Sequence, residues 1–483
     1  MGELEAVIGL EVHLQLKTRT KLFCRCPVEF AAPPNSRVCA VCLGYPGSLP
    51  VPSREAVRLA LICAHALNCR VNLTSSFDRK NYFYPDLPKG YQITQHYTPL
   101  AEEGYFEFEF GGEVRRVRIQ RIQLEEDSGK IIYRDDTGEV LVDLNRCGVP
   151  LVEIITEPDL RSPAEARAFL EQLRRLFTYI GVSDCDMEKG QLRCDVNLSV
   201  RPRGSDILGV RTEIKNLNSF SQVEEALNLE FERQVGIVGS GGRVEQQTLD
   251  YDAKERRIVV QRRKEFAHDY RYFPEPDLPP LVLQRQWVEA LKEELPELPL
   301  ARQRRLISRY GLRSSDAAIL TSKRALADYF EAALGEASPR AVANWLITDL
   351  TRLANERGRE VWELGIAAQD FGRLVALYEK GDLTNLAAKQ ALRYMVEKGC
   401  GVEEAVRALG VGRRRDVREI EELARRVVEE NPKAVADYIK GKDGALKFLM
   451  GSLMRATRGS ADPKIALQTL KKILDAKRDA RQD

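Results

Sequence analysis

Residues 7–16 alternate apolar and polar side chains over their whole length, and they read Val7-Ile8-Gly9-Leu10-Glu11-Val12-His13-Leu14-Gln15-Leu16. Successive side chains of a β-strand point to opposite faces. The aliphatic residues of the stretch therefore share one face, whereas Glu11, His13 and Gln15 share the other. This pattern predicts a strand whose sheet has one apolar face and one polar face.

The same alternation returns at residues 117–125, 192–200 and 211–215. The polar positions of these stretches include Gln123, Glu125, Arg193, Asp195, Asn197, Ser199, Arg211, Glu213 and Lys215. A sheet with one solvated face explains any single strand of this kind. Glutamate, aspartate and asparagine oxygens are also the ligands that Mg²⁺ prefers. The four strands together predict a concave polar surface that holds a cation and phosphates.

The 483-residue chain changes character along its length. Alternating stretches and turns fill residues 1–293, and helical patterns follow a proline-rich seam at Pro274–Pro280. A run of strands before a run of helices predicts an α+β fold class. We expect an antiparallel-sheet cradle domain over residues 1–293, an all-α domain over residues 294–408 and a small all-α tail domain over residues 409–483.

The charges nearly cancel, with 74 Lys and Arg against 72 Asp and Glu and a net charge of +2. This balance excludes a chain that coats nucleic acid as a uniform polycation. Residues 431–483 nevertheless carry a net charge of +6, and a basic helical tail can bind RNA phosphates in a salt-dependent way. The sequence shows neither an export signal nor a stretch of ~18 apolar residues, so we expect a cytoplasmic protein with no membrane partner.

Four of the ten cysteines fall within residues 24–42, at Cys24, Cys26, Cys39 and Cys42. Tetrahedral zinc is held by four such ligands delivered as two close pairs. The spacing predicts a structural zinc loop that is fixed against the first strand. The alternative is a metal-free loop with incidental buried thiols.

Two further segments combine aromatic and charged residues. Residues 77–92 contain prolines and show neither a helical nor a strand period, which predicts a rigid loop that can stack a base or simply pack on the domain. Residues 261–274 place three consecutive cations near a histidine and tyrosines. These cations could bind phosphates or form a solvated charged surface.

These motifs resemble the B subunit of the glutamyl-/aspartyl-tRNA(Gln/Asn) amidotransferases, and the resemblance covers essentially the whole chain. It rests on residues 8–13, 24–42, 78–92, 124–130, 145–153, 192–197, 211–220 and 453–459. Cys147 departs from the pattern, where the resemblance leads us to expect a small residue such as alanine. The chain has no room for the domain inserted in the archaeal relative, which favours the bacterial heterotrimeric type.

The resemblance implies a mechanism and partners. ATP phosphorylates the side-chain carboxylate of Glu or Asp mischarged on tRNA(Gln) or tRNA(Asn), and ammonia then displaces the phosphate. The ammonia comes from an amidase (glutaminase) partner, the A subunit, which forms a heterotrimer with this chain and a small C subunit. The implied cofactors are ATP, Mg²⁺ and a structural Zn²⁺, and the basic tail is implied to bind the tRNA.

The resemblance also assigns roles to residues. The implied catalytic residues are Glu11, His13, Glu125, Asp195, Glu213 and Lys215, of which Glu11, His13, Glu125 and Glu213 are expected to hold Mg²⁺. The residues expected to contact ATP or its phosphates are Lys89, Asn197, Glu153 and Arg193. Two other functions fit parts of the sequence. They are a non-catalytic tRNA-binding scaffold and a zinc-ribbon nucleic-acid-binding module, but a scaffold has no need for the polar strand faces.

Overall fold

The computed structural model describes residues 3–134, 136–263, 270–411, 417–457 and 461–479. Six of the fourteen residues of the cation-rich motif at residues 261–274 fall outside the described part, namely residues 264–269. Arg458 and Gly459 of the tail motif also lie outside it. The chain forms two compact units, Met1–Leu300 and Ala301–Asp483.

The first unit contains the strands. They are β1 (Leu4–Gln15), β2 (Arg70–Val71), β3 (Thr74–Ser75), β4 (Asp78–Asn81), β5 (Tyr91–Thr94), β6 (Ala101–Phe110), β7 (Glu113–Glu126), β8 (Lys130–Arg134), β9 (Glu139–Asp143), β10 (Pro150–Thr156), β11 (Leu192–Pro202), β12 (Thr212–Lys215), β13 (Gln247–Asp252), β14 (Arg257–Arg263), β15 (Phe273–Pro274) and β16 (Leu281–Val282). Its helices are α1 (Arg54–Ala66), α2 (Pro163–Tyr179), α3 (Phe220–Gly239) and α4 (Arg285–Glu293).

Nine strands form one sheet in the order β14-β13-β12-β11-β1-β10-β7-β6-β2. Neighbouring strands in the described residues are antiparallel except for β12 and β13, which are parallel. The prediction of an antiparallel sheet thus needs a correction, because the sheet is mixed. The 20-residue helix α3 lies between β12 and β13 in the chain, and a helical crossover of this length is what brings a following strand back in the parallel direction.

The central strand β1 separates the two faces of the sheet. Ile8, Leu10, Val12 and Leu14 are almost completely buried in the main apolar core. Helices α1, α2 and α3 pack on this side and contribute to the same core. The alternation in β1 therefore places Glu11 and His13 on the opposite side, which we call the polar face of the sheet. The predicted strands at residues 7–16, 117–125, 192–200 and 211–215 are confirmed to within a few residues.

The segment at residues 77–92 is more regular than its sequence predicts. Strands β4 and β5 pair antiparallel, with Asp78 opposite Thr94 and Asn81 opposite Tyr91. Strand β15 pairs with the outer side of β4, which completes a three-stranded sheet. Strands β4 and β5 have four residues each and β15 has two, so alternation with a period of two cannot be recognised beside the prolines of the connecting turn.

The second unit is helical, as predicted. Its helices are α5 (Pro299–Tyr310), α6 (Ser314–Leu320), α7 (Arg324–Ala333), α8 (Pro339–Trp345), α9 (Thr351–Asn355), α10 (Ala368–Glu379), α11 (Asn385–Lys398), α12 (Val402–Leu409), α13 (Val417–Glu430), α14 (Pro432–Ile439), α15 (Asp443–Ala456) and α16 (Pro463–Asp479), with a π-helical segment at Leu346–Leu350 and a 3₁₀ turn at Val361–Glu363. Two apolar cores form within this unit, one between Leu306 and Val411 and one between Ile420 and Leu474. The predicted domain boundaries after residues 293 and 408 stay predictions. None of the helices described is both long enough and apolar enough to cross a membrane.

Candidate active site

A cavity of about 610 Å³ lies over the polar face of the sheet. The strand register assembles its floor, because Glu11 lies opposite Asp195 and His13 lies opposite both Arg193 and Glu153. Eight of the predicted residues line this cavity: Glu11, His13, Glu125, Glu153, Arg193, Asp195, Glu213 and Lys215. The sheet thus gathers side chains from five strands into one polar site.

The first group of possible metal ligands is His13, Glu125 and Glu153, which offer ligand atoms within 4.8 Å of one another. His13 Nε2 lies 3.4 Å from Glu125 Oε1 and 3.6 Å from Glu153 Oε1. Both carboxylates are buried, with Glu125 only 3% exposed. We call these three residues the His13 group.

Burial and crowding perturb every member of the His13 group. Burial, together with the negative charge of Glu153, raises the pKa of Glu125 to about 8. Burial also raises the pKa of Glu153. The pKa of His13 falls well below 6.5, first because the ring is buried and then because Arg193 and other cations are near. Two carboxyl groups and a neutral imidazole this close together are suited to share a divalent cation, which would favour both ionised carboxylates.

These shifts predict a pH dependence for the metal-free chain. The pKa of Glu125 is raised from 4.5 to about 8 on folding, so its contribution to stability is full below pH 4.5 and is lost as the pH rises towards 8. Between pH 6.5 and 8, we expect chelator-treated wild-type protein to lose stability relative to the variant Glu125→Gln. Urea midpoints of both proteins at the two pH values measure this difference. A difference that stayed constant with pH would contradict the raised pKa.

The second group of possible metal ligands is Glu11, Asp195 and Glu213, again with ligand atoms within 4.8 Å of one another. Lys215 forms ion pairs with Asp195 and, at 2.9 Å, with Glu213 Oε1. Burial alone would lower the pKa of Lys215, but the charges of these two carboxylates raise it. We call Glu11, Asp195 and Glu213 the Glu11 group. In this structure the ammonium group of Lys215 is paired with two of its three carboxylates.

Asn197 supports the Glu11 group from the side. Its Nδ2 donates a hydrogen bond of 3.1 Å to Glu11 Oε1, although Asn197 is not among the residues that line the cavity. Arg193 is held differently, since its Nη2 lies 2.8 Å from Asp127 Oδ1. The Asp127 charge raises the pKa of Arg193, so the guanidinium is a fixed positive charge at the edge of the cavity.

The cavity has further lining residues that were not among the predicted catalytic, cofactor-binding or metal-binding residues. They include Lys80 and Tyr82 of the segment at residues 77–92, Tyr270 and Tyr272 of the segment at residues 261–274, and also His96, Arg121 and Gln123. Lys80 Nζ lies 5.0 Å from the ring centroid of Tyr270, and the rings of His96 and Tyr272 are stacked with centroids 3.8 Å apart. The alternation that places Glu125 and Gln123 on one face of β7 also places Arg121 there. That signal could have identified Arg121 from the sequence.

Lys89 does not reach this cavity. It forms a buried ion pair with Glu126, whose carboxylate also accepts a hydrogen bond of 2.9 Å from the backbone N–H of Ile93. Glu126 follows Glu125 on β7, so the alternation of the strand turns the two carboxylates to opposite sides. Lys89 therefore lines a separate cavity of about 200 Å³ beside Cys24 and Cys42, rather than the site where phosphates were expected.

The four clustered cysteines also come together. Their Sγ atoms all lie within 4.8 Å of one another, close to the edge of about 3.8 Å of a tetrahedron with zinc–sulfur bonds of about 2.3 Å. A hydrogen bond with Cys24, helped by the backbone N–H of Cys39, lowers the pKa of Cys42 to about 4. Burial raises the pKa of Cys26 to about 11. The cluster can hold a metal, and the donor set fits a thiophilic one.

The cysteine loop, residues 24–42, is hydrogen-bonded to a segment before β10 as well as to the residues that follow β1. Asn35 Nδ2 donates to the Val142 carbonyl at 3.0 Å, and Asn145 Nδ2 donates to the Pro33 carbonyl at 2.7 Å. Cys147 Sγ lies 3.4 Å from the Cys42 carbonyl. These contacts fix the loop against residues 142–148, which lead into β10. The loop also bonds to the segment that follows β1, since the Lys21 N–H donates to the Cys26 carbonyl and the Val28 N–H donates to the Arg19 carbonyl, both at 3.0 Å.

Comparison with known proteins defines the class to which this fold and site belong. A family model described as the GatB/GatE catalytic domain matches residues 6–289, and one described as the GatB domain matches residues 328–474. The B subunit of an aspartyl/glutamyl-tRNA(Asn/Gln) amidotransferase from Carboxydothermus hydrogenoformans is 49% identical, over 98% of this chain and 99% of that protein. Proteins of the same name from Moorella thermoacetica and Thermotoga maritima are 48% and 46% identical, over 98% and 97% of this chain and 100% and 98% of their own lengths.

The chain belongs to the family of aspartyl/glutamyl-tRNA(Asn/Gln) amidotransferase B subunits. The resemblance identified from the sequence motifs is therefore confirmed.

Proposed function

We propose that this chain carries out the ATP-dependent amidation of Glu on tRNA(Gln), Asp on tRNA(Asn), or both, within a heterotrimer that also contains an amidase partner and a small third chain. The observation that carries this proposal is the pairing of the His13 group and the Glu11 group on one polar face, inside one cavity. The names of the relatives support the same substrates. We place this activity in the cytoplasm.

The donor sets support the proposed Mg²⁺ and ATP sites. In the His13 group, two buried carboxyl groups with raised pKa values lie beside one neutral imidazole. A divalent cation offsets that crowding, so we assign His13, Glu125 and Glu153 to hold Mg²⁺, and Glu11, Asp195 and Glu213 to a second cation or to ATP. Bound Mg²⁺ would neutralise the negative charge of the phosphates during phosphoryl transfer.

The protein's own cations complete the site for phosphoryl transfer. Lys215, Arg193 and Lys80 all line the cavity, and each can approach the oxygens of a phosphoryl group. The γ-phosphoryl group moves from ATP to a carboxylate oxygen of the substrate, which gives an acyl phosphate and ADP. Ammonia then attacks the carbonyl carbon, and inorganic phosphate leaves with the electrons of the C–O bond. No covalent nucleophile from the protein is needed.

The remaining elements serve binding and support. We propose that the cysteine loop holds a structural Zn²⁺, because its four sulfur atoms satisfy the closed coordination of such a site. We propose that the basic tail domain, residues 409–483, binds the phosphates of the tRNA. The aromatic side chains of Tyr82, Tyr270 and Tyr272 offer surfaces on which the terminal adenosine of the tRNA can stack.

One assay separates this function from a non-catalytic scaffold. Mischarged tRNA, ATP and Mg²⁺ are incubated with the reconstituted complex and glutamine, and in parallel with this chain and free ammonia. We expect amidation in both reactions, with ADP formed in proportion to the product. A chain that bound mischarged tRNA but supported amidation under neither condition would be a scaffold.

Lys215 gives a more local prediction. Replacing it with Met should slow amidation by roughly 100-fold, the usual size of the effect when one preorganised electrostatic group is lost. The change in single-turnover rate at saturating ATP measures this effect. Lys254, which is exposed on a turn of the same unit, provides the matched control Lys254→Met. Equal rates for the two variants would remove Lys215 from the phosphate site.

A further inference from the structure

Lys21 is a completely buried lysine beside the cysteine loop, with 0% of its surface exposed. Its Nζ lies 3.5 Å from Cys42 Sγ and 3.4 Å from the carbonyl oxygen of Leu144. Lysine is almost never fully buried unless an opposite charge accompanies it. The neighbours of Lys21 should therefore reveal which charge it compensates.

Among the described residues, no carboxylate forms an ion pair with Lys21. Glu126 and Asp277 are the acidic residues that line a small cavity with it. The Glu126 carboxylate is already engaged by Lys89 and by the Ile93 N–H, and the Asp277 carboxylate is paired with Arg79 at 3.3 Å. Lys89 is itself a cation, so it adds no negative charge for Lys21. The partner that remains within hydrogen-bond distance and can carry charge is the sulfur of Cys42.

The charge of a metal-loaded cluster explains this arrangement. Four thiolates with one divalent zinc carry a net charge of −2, and Cys42 is buried. A charge of that size is costly in a desolvated position unless a counter-charge is nearby. We infer that Lys21 is the counter-cation of a four-thiolate metal centre, and that its N–H···S contact with Cys42 orients and stabilises the coordinated sulfur. This inference rests on the proposed metal site.

The inference distinguishes the loaded from the metal-free chain. With the metal bound, Lys21 compensates a large negative charge, so its removal should weaken metal binding. Without the metal, Lys21 is a buried ammonium near a cluster with much less negative charge, so its removal should cost little or even stabilise the fold. A lysine that only fills space would stabilise both states equally.

The test uses the full-length chain and zinc competition against a chromogenic chelator. We expect Lys21→Met, which keeps the length of the side chain and removes its charge, to weaken zinc binding by roughly 10–100-fold, the range typical of lost partners of metal ligands. Lys21→Gln keeps a hydrogen-bond donor without the charge and should lose a similar factor. Lys17→Met removes an exposed lysine of the same segment and should bind zinc as the wild type does.

Melting temperatures complete the experiment. Lys21→Met should lower the melting temperature of the zinc-loaded chain while leaving that of the metal-free chain unchanged or higher. If wild-type protein bound no zinc, the metal-site proposal and this inference would both fail, although the proposed amidation could still stand. If wild-type protein bound zinc and either Lys21 variant bound it equally well, the inference about Lys21 alone would be overturned. Equal destabilisation of both states would likewise overturn it.

Discussion

Replacing Glu125 with Gln should reduce ATP-dependent amidation by more than about 1,000-fold, equivalent to about 4 kcal/mol of lost transition-state stabilisation. Glutamine has nearly the same shape as glutamate, so the variant tests charge and not packing. It removes one of the two carboxylates of the His13 group and turns an amide towards His13, whose Nε2 lies 3.4 Å from Glu125 Oε1 in the wild type. A divalent cation would then lack a ligand in a buried position.

Two measurements separate this effect from misfolding. Amidation of mischarged tRNA is followed in the reconstituted complex, and tRNA affinity is measured by filter retention on the same preparation. We expect the affinity to remain within a few-fold of wild type, because the basic tail is untouched. Glu113→Gln alters an exposed glutamate on the same strand, β7, and should keep full activity. Wild-type rates for Glu125→Gln would show that the His13 group does not hold the reactive centre.

Replacing Cys39 and Cys42 together with Ser should abolish stoichiometric zinc binding and destabilise the first unit. A loss on the order of 3 kcal/mol, expected when a structural metal is removed, corresponds to a decrease in melting temperature of roughly 5 °C for a unit of 300 residues. Elemental analysis measures the zinc content, and calorimetry measures the melting temperature. The amidation rate of the folded variant should change little, since no cysteine of the loop lines the larger cavity.

Cys400→Ser is the control for the cysteine variant, because Cys400 lies in the second unit and outside the cluster. It should change neither the zinc content nor the melting temperature of the first unit. Two results together would show that the cysteine loop is stable without a metal. The double variant would be soluble and as stable as the wild type, and the wild-type protein would contain no zinc.

Strand alternation was sufficient to predict which residues share a face. Glu11 and His13 on β1, and Asp195 on β11, lie on the polar face as the period of two requires. Alternation within one strand cannot reveal which strands are neighbours, however. The meeting of His13 with Glu153 depends on the pairing of β1 with β10, which joins residues 140 positions apart in the sequence. The strand of Glu153, Pro150–Thr156, also alternates less clearly than β1, so its sequence indicates a contact with ATP and not a place beside His13.

The sequence indicates less where strands are short, and where successive residues of one strand point to opposite sides of the sheet. Lys80 and Tyr272 reach the cavity from the small sheet of β4, β5 and β15 and its flanking residues, whose strands are too short to show a period. Lys89 was expected at the phosphates, but its partner Glu126 stands on the opposite side of β7 from Glu125. Residues 264–269 of the cation-rich motif lie outside the described residues, and the expected contact of the motif with phosphates stays a prediction.

The position of β1 at the centre of the sheet has a consequence for the order in which the chain acquires its structure. Strand β1 is synthesised before its partners β10 and β11. Glu11 can pair with Asp195 only after the ribosome has added the 184 residues that follow it. At typical rates of about 5–20 residues per second, synthesis of that interval takes roughly 10–40 s. During this time β1 lacks at least one of its two partner strands. Such long-range pairing slows folding and exposes nascent chains to aggregation, so protection by chaperones during translation should matter more for this protein than for one built from local hairpins.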